Sequence, residues 1–275
     1  MRAPISVIVT ILNEAKHLPD LLDSLAAQEG PFEVLIVDAG SRDGSVALVE
    51  GYARKDDRFR LLHHPASRGA SRNAGAAQAT GDYLAFIDGD CIANPFWLKR
   101  MRDHAAVRRI VAGRTVVFGY WAFERLQRVE LPHKGLDVTH PSSNLLYPRE
   151  AFLALGGFDP RFVTAEDMDL NFRAIEGGLD LAYVPDALVY HRARDSVGGF
   201  LRQAFWNGYG RKQLTLKHGR LWAQYSLKRM IQQDLNFWGL LRMTSAVLGY
   251  LRCRLRESDR DWGPTPLAAP RRARA

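Results

Sequence analysis

The first third of this chain alternates short, almost unbroken apolar runs with amphipathic segments, and that alternation limits its fold more than any other feature. Residues 5–12, Ile-Ser-Val-Ile-Val-Thr-Ile-Leu, read as a strand covered on both faces. Leu18, Leu21, Leu22, Leu25 and Ala26 then recur at the spacing of an amphipathic helix. Residues 33–37 predict a second buried strand, closed by the turn 38–44. A helix over 45–55, a strand at 59–63, a small-residue helix over 69–80 and a strand at 83–87 come next. Repeated βα units of this length predict an α/β fold with a doubly wound, mainly parallel sheet. Ligands of such sheets bind at the carboxyl ends of the strands.

Those strand ends are polar: Asn13-Glu14 after the first, Asp38 at the second, Asp88-Gly89-Asp90 after the strand at 83–87. No Gly-x-Gly-x-x-Gly succeeds the first strand and no Gly-x-x-x-x-Gly-Lys-Ser/Thr occurs, which argues against a dinucleotide fold and a P-loop NTPase. Asp88-Gly89-Asp90 brings two carboxylates to one strand end, and the glycine permits a tight turn between them. Hard oxygen ligands there suit Mg²⁺ or Mn²⁺ with a substrate's phosphates. A polar turn is the competing reading.

The order of several motifs resembles the inverting family 2 glycosyltransferases of the GT-A fold. Residues 7–14, Val-Ile-Val-Thr-Ile-Leu-Asn-Glu, are similar to the family's opening strand, with Thr10 where proline is usual and Leu12 where an aromatic is usual. Residues 37–45 resemble its Val-Asp-Asp-Gly-Ser turn, with Ala39 in place of the second aspartate. Arg68-Gly-Ala-Ser-Arg-Asn-Ala-Gly75 is similar to its Arg-Asn helix start, and Asp88-Gly-Asp90 to its Asp-x-Asp motif. Gly156-Gly-Phe-Asp159 and Glu166-Asp167 complete the series. The resemblance spans about residues 5–195.

It implies a Rossmann-like nucleotide-binding half, an acceptor half, and transfer of a sugar from a nucleoside diphosphate donor, a UDP-sugar being favoured. Ile11, Asn13, Glu14, Asp38, Arg72 and Asp88 are the implied nucleotide-binding residues. Asp88, Asp90 and His191 are the implied ligands of Mn²⁺ or Mg²⁺. Asp167, with Glu166, is the implied catalytic pair, Asp167 taking the acceptor's proton. Other readings stand beside these: Asp38 as a turn former, Arg72 as a solvated helix charge, Glu14 as a helix-dipole residue. Thr164-x-x-Asp167 is also a capping-box pattern, whereas an apolar stripe of Ala165, Met168, Phe172 and Ile175 would turn Asp167 toward the cleft. No Gln-x-x-Arg-Trp box occurs after residue 195, which favours transfer of a single sugar. The region 114–155, with Trp121, His133, His140 and Ser142-Ser-Asn144, falls where an acceptor would bind, a glycan or lipid-linked hydroxyl.

An apolar fraction of 47% with 25% charged residues excludes a disordered, collagenous or coiled-coil chain. Two cysteines cannot build a disulfide framework. The opening residues show no secretory signal, so a cytoplasmic setting is expected. The formal charge of +8 points to anionic partners. From residue 252 onward seven arginines face three carboxylates, a net +4, and four of the six tryptophans lie beyond residue 200. Residues 1–195 are therefore expected to form the catalytic domain, 196–256 a helical, aromatic and basic extension, and 257–275 a disordered tail. Arginine-edged apolar helices suit an anionic membrane surface, here the inner face of the plasma membrane, or pack on the domain. Two other classes are open. A sugar-nucleotide nucleotidyltransferase should carry a glycine-rich loop where Asn13-Glu14 stands. A nucleic-acid binder would leave the acidic motifs unexplained, so nucleic acid is not an expected partner.

Overall fold

The structure, a computed structural model, describes residues 4–119, 130–193, 196–219 and 236–265. Its first half runs β1 (Ile5–Ile11), α1 (Leu18–Ala26), β2 (Phe32–Asp38), α2 (Ser45–Ala53), β3 (Phe59–His63), α3 (Arg68–Ala77) and β4 (Tyr83–Asp88). These are the predicted elements with ends moved by one to three residues. Next come β5 (Cys91–Ala93), α4 (Trp97–Asp103), β6 (Arg109–Phe118), β7 (Pro132–His133), β8 (Leu136–Asp137), a 3-10 turn (Ser142–Asn144), β9 (Leu145–Pro148) and α5 (Arg149–Ala154). The chain then forms α6 (Glu166–Glu176), β10 (Asp180–Arg192), α7 (Val197–His218) and α8 (Phe237–Glu257).

The main sheet has the order β3-β2-β1-β4-β9-β6-β10-β5. The first four of these strands are parallel, as are β6 and β10. β9 runs antiparallel to both β4 and β6, and β5 antiparallel to β10. Both faces are covered, which is why β1 is apolar at nearly every position. Ile5, Val7, Val9 and Ile11 pack with the buried leucines of α1, while Ile8 packs with Leu35, Ala76 and Phe86 on the other side.

The C-terminal extension is built onto this domain. α7 and α8 cross at two glycines: a Cβ on Gly208 would lie 1.8 Å from the Ala246 carbonyl oxygen, and one on Gly249 1.8 Å from that of Phe205. Any side chain there would push the helices apart. At its C-terminal end α7 seats Lys217 between Asp159 (2.7 Å) and Asp169 (2.6 Å), both fully buried, and His218 Nε2 lies 2.7 Å from Asp169 Oδ1. Residues 257–265 are not the tail expected from composition. Trp262 is buried against Phe162 at 5.0 Å, and Glu257 accepts hydrogen bonds from Tyr209 and Gln213. One aromatic and one paired acid outweighed the local excess of proline and arginine. The rest of that segment, with Arg271, Arg272 and Arg274, lies outside the described residues, as do Trp121 and Trp222.

Candidate active site

The loops that leave β1 and β2 are sewn together at the carboxyl end of the sheet. Asn13, in the left-handed region at φ 56°, donates its amide N–H to Ser41 Oγ (2.9 Å) and accepts from the Arg42 amide on Oδ1 (2.8 Å). The Glu14 amide donates to Ser45 Oγ (2.9 Å), and that of Ala15 to Asp43 Oδ2 (3.0 Å). Asp38 is buried and accepts from the Gly40 and Ser41 amides at 3.2 and 3.0 Å, so it does form the turn. Desolvation raises its pKa, but the bonds from Ser41 and Gly40 outweigh that and lower it. His63 Nδ1 also lies 3.5 Å from its Oδ2, and the carboxylate's remaining lone pairs can accept from a further donor. Ile11 lies wholly in the core, and its carbonyl accepts from the Ala39 amide (2.9 Å), so it backs the cleft rather than lining it.

Asp90 and His191 meet because β5 pairs with the end of β10 in the register His191↔Cys91. Asp90 Oδ1 is 3.2 Å from His191 Nε2. Potential ligand atoms of Asp90, Cys91 and His191 all lie within 4.8 Å of one another. Burial holds the Cys91 thiol far above its ordinary pKa, so it is protonated and a poor ligand. A carboxylate oxygen and an imidazole nitrogen remain, a donor set that fits Mn²⁺ or Mg²⁺ with waters and phosphates completing the shell. Gly89 is required for close approach: a Cβ would lie 3.2 Å from both Glu14 Cγ and Ile11 Cγ2. Asp88 is not in this cluster, because its carboxylate faces Arg72.

Arg72 is not the solvated helix charge that was the competing reading of its motif. It is 1% exposed and bridges two acids, donating to Asp88 Oδ1 at 2.6 Å and Glu166 Oε1 at 2.7 Å, with its guanidinium 5.3 Å above the Phe158 ring. Next to it, Asn73 clamps the 156–159 loop: Nδ2 donates to the Phe158 carbonyl (2.7 Å) and Oδ1 accepts from the Phe158 amide (2.9 Å). The Arg-Asn pair thus ties α3 to the segment leading into α6. The two acids respond oppositely. For Asp88, desolvation is outweighed by Arg72, Arg68 and His191, and the pKa falls to about 2. For Glu166, desolvation prevails, Asp167 adds repulsion, and the pKa rises.

Asp167 is half-buried in the first turn of α6. Its Oδ2 accepts from the Ser142 amide (3.0 Å) and hydroxyl (3.3 Å), and its Oδ1 from the Met168 amide (2.8 Å). The capping-box alternative does not occur: the N-cap is Ala165, at φ 67°, and no side chain caps the helix. The buried face of α6 also differs from the expected stripe, for Leu170, Ala174 and Ile175 are buried while Ala165, Met168 and Phe172 are only partly so. Asp169, Asn171 and Glu166 share the buried side because each has a buried partner, which hydropathy does not register.

Two contributions had no signal in local sequence. Arg68 is exposed at the start of α3, and despite desolvation the charges of Asp88, Glu166, Asp167 and Asp90 raise its pKa. A cavity of about 220 Å³ opens beside Asp90, lined among others by Glu14, Lys16, His17 and Arg192. Of the other acceptor-region residues, Asn144 is structural, bonding Trp97, Arg114 and Ala187, and His140 is buried against Tyr183.

This fold recurs in solved glycosyltransferases. A mannosyltransferase from Pyrobaculum calidifontis, in complex with GDP-Man and Mn²⁺, superposes with a TM-score of 0.65 at 17% identity, over 93% of this chain and 76% of that one. S. aureus TarS (residues 1–349), in complex with UDP-GlcNAc, gives 0.60 at 17% identity over 90% of this chain and 81% of that one. In sequence, the pre-mycofactocin glycosyltransferase of Mycobacterium tuberculosis is 31% identical over 225 residues, 74% of this chain and 46% of that protein. The chain thus spans about half the length of that relative. Glycosyltransferase AglE of Haloferax volcanii is 28% identical over 229 residues, 77% of this chain and 74% of its own length.

The family profile described as glycosyl transferase family 2 matches residues 6–155, and the chain belongs to that family. A second profile, glycosyl transferase family group 2, matches residues 110–256. It takes in the extension, which the sequence resemblance had left uncovered.

Proposed function

We propose that the protein is an inverting glycosyltransferase. It moves one sugar from a nucleoside diphosphate sugar, a UDP-sugar in the form we favour, to a hydroxyl of a glycan or lipid-linked acceptor. The observation that carries this reading is the set of acids and cations in which Arg72 joins Glu166 to Asp88, with Asp167 next to Glu166 in the chain and the Asp90–His191 pair beyond. The donor complexes of the two solved relatives support the donor class.

The stitched loops after β1 and β2 offer the nucleotide its seat, where Asp38 has lone pairs for a base N–H and Asn13 shapes the entrance. Arg68 and the cations lining the cavity, Lys16, His17 when protonated and Arg192, attract the diphosphate. Asp90 and His191 would hold Mn²⁺ or Mg²⁺, which when bound offsets charge on the leaving diphosphate. Ser142 fixes the rotamer of Asp167 from outside its helix. Asp167 takes the acceptor's proton as the acceptor oxygen bonds to the anomeric carbon. The bond from that carbon to the diphosphate oxygen breaks on the opposite face, which inverts the configuration. Glu166, bound to Arg72, holds the site in place rather than moving a proton.

Asp167→Asn keeps the shape and the acceptor oxygen for Ser142 but cannot accept the proton. Turnover is expected to fall about 10²–10⁴-fold, while titration calorimetry shows donor binding unchanged. Turnover equal to wild type would remove Asp167 from the mechanism.

A further inference from the structure

α8 carries an apolar face that nothing among the described residues covers. Phe237, Leu240, Val247, Leu248, Leu251 and Leu255 are between 45% and 81% exposed. At about 100° per residue they fall within one stripe roughly 100° wide, with only Thr244 interrupting it. The stripe runs nearly the whole helix, about 27 Å at 1.5 Å per residue. The opposite side is already occupied, since Gly239, Gly249 and Cys253 are buried.

The charges bordering the stripe identify its partner. On the same helical wheel, Arg252 lies on one edge with Arg256 beyond it, and Arg254 lies on the other; all three are exposed. The only acid in α8, Glu257, is turned inward to Tyr209, Gln213 and Arg260. A second copy of the chain would bring one arginine border against another with no countercharge from α8. An anionic lipid headgroup layer supplies that countercharge, and the acyl boundary beneath it takes the leucines. None of the described helices is long and apolar enough to cross a membrane. The geometry is that of a helix lying in the plane of the interface.

We propose that α8 docks the protein on an anionic membrane surface, the inner leaflet of the plasma membrane, by inserting the stripe Phe237–Leu255, whose C-terminal end carries arginines on both edges. The attachment is coupled to the active site through packing. α8 is clasped to α7 at Gly208 and Gly249, and α7 is clamped to α6 by Lys217 and His218 on Asp169. Gly210 abuts the Thr164 carbonyl, two residues before Glu166 begins α6. A surface that holds α8 therefore holds Asp167 at a fixed height above it. Membrane binding itself stands without the sugar-transfer reading; only its purpose, presenting a lipid-linked acceptor, rests on that reading.

Vesicle sedimentation of the full chain tests this. Phosphatidylcholine vesicles containing phosphatidylglycerol should bind the protein at low salt, and added salt should weaken the binding. The triple variant Leu248→Glu, Leu251→Glu, Leu255→Glu touches only exposed positions and should lose at least about 100-fold in partitioning. Arg252→Gln with Arg254→Gln should lose on the order of 10-fold, and only on the anionic vesicles. Turnover of a soluble acceptor should be the same in all of these proteins, which separates failure of docking from failure of the enzyme reading. Wild-type protein that ignores anionic vesicles at low salt overturns the proposal. So does a dimer in light scattering that the triple variant splits, for then the stripe is a contact between copies.

Discussion

Arg72→Met keeps the bulk of the buried side chain and deletes a cation that serves two acids. The bonds lost are those to Asp88 at 2.6 Å and Glu166 at 2.7 Å. Removing one partner of a buried ion pair typically costs about 3–5 kcal/mol. The Glu166 side chain is 5% exposed and would bear most of that cost, whereas Asp88, 22% exposed, recovers some hydration. A loss of about 4 kcal/mol results, which for a chain of this size lowers Tm by roughly 8–16 °C. The loss should also depend on pH. Without Arg72, the pKa of Asp88 rises from about 2, and that of Glu166, already raised, goes higher. Both then accept protons more readily when folded, so the gap between variant and wild type narrows from neutral pH toward about pH 4. Adding Glu166→Gln to Arg72→Met should restore part of the loss, because the buried charge is gone. Scanning calorimetry across that pH range decides. A Tm within about 2 °C of wild type, or a deficit independent of pH, refutes the account of Arg72 as the hub of the site.

Two further outcomes rest on the same geometry. His191→Ala should raise the Mn²⁺ concentration that half-saturates the protein by at least about tenfold, read as thermal shift against metal alone; an unaltered curve removes His191 from the ligand set. Asp88 and Asp159 both titrate at about 2, below the usual 3.8, so their stabilisation is complete above about pH 4 and is lost as pH falls through 2. Each shift is worth roughly 2 kcal/mol. Urea midpoints should fall steeply over that interval and less steeply in Asp159→Asn, and identical slopes would contradict the Asp159 assignment.

The parallel half of the sheet was legible because each of its strands is buried on both faces and each helix pairs a polar with an apolar side. β5 and β9 were not: three or four residues hold no period, and their places depend on partners far along the chain. Ser142 was named in the acceptor region, but its bond to Asp167 was not foreseen, for a similar reason. It meets Asp167 across 25 residues, and nothing near either position announces the contact. The acids of α6 misled hydropathy, since Glu166 and Asp169 are buried by partners on α3 and α7. Arg72 was found by its motif but its bonds to Asp88 and Glu166 were not, because a motif names a residue and not where its side chain goes. Trp262 lies where composition suggested a disordered tail, and its packing on Phe162 reverses that.

The place of β5 in the sheet also sets an order of events. It comes after β4 in the chain with only two residues between, yet it forms the far edge of the sheet, its one partner among the described residues being β10. When the chain leaves the ribosome, β1 to β4 and their helices can pair with one another first, and β4 gains its second neighbour, β9, only after residue 148 has emerged. β5 must wait, unpaired, until residue 192 has emerged. The pairing of Asp90 with His191 is therefore among the last to form, and a nascent or truncated chain that already looks folded in its first half lacks it. Under the proposed metal role, ion loading would report closure of the sheet up to residue 192, and the slow step in refolding should be the closure of a loop about one hundred residues long rather than the growth of the parallel sheet.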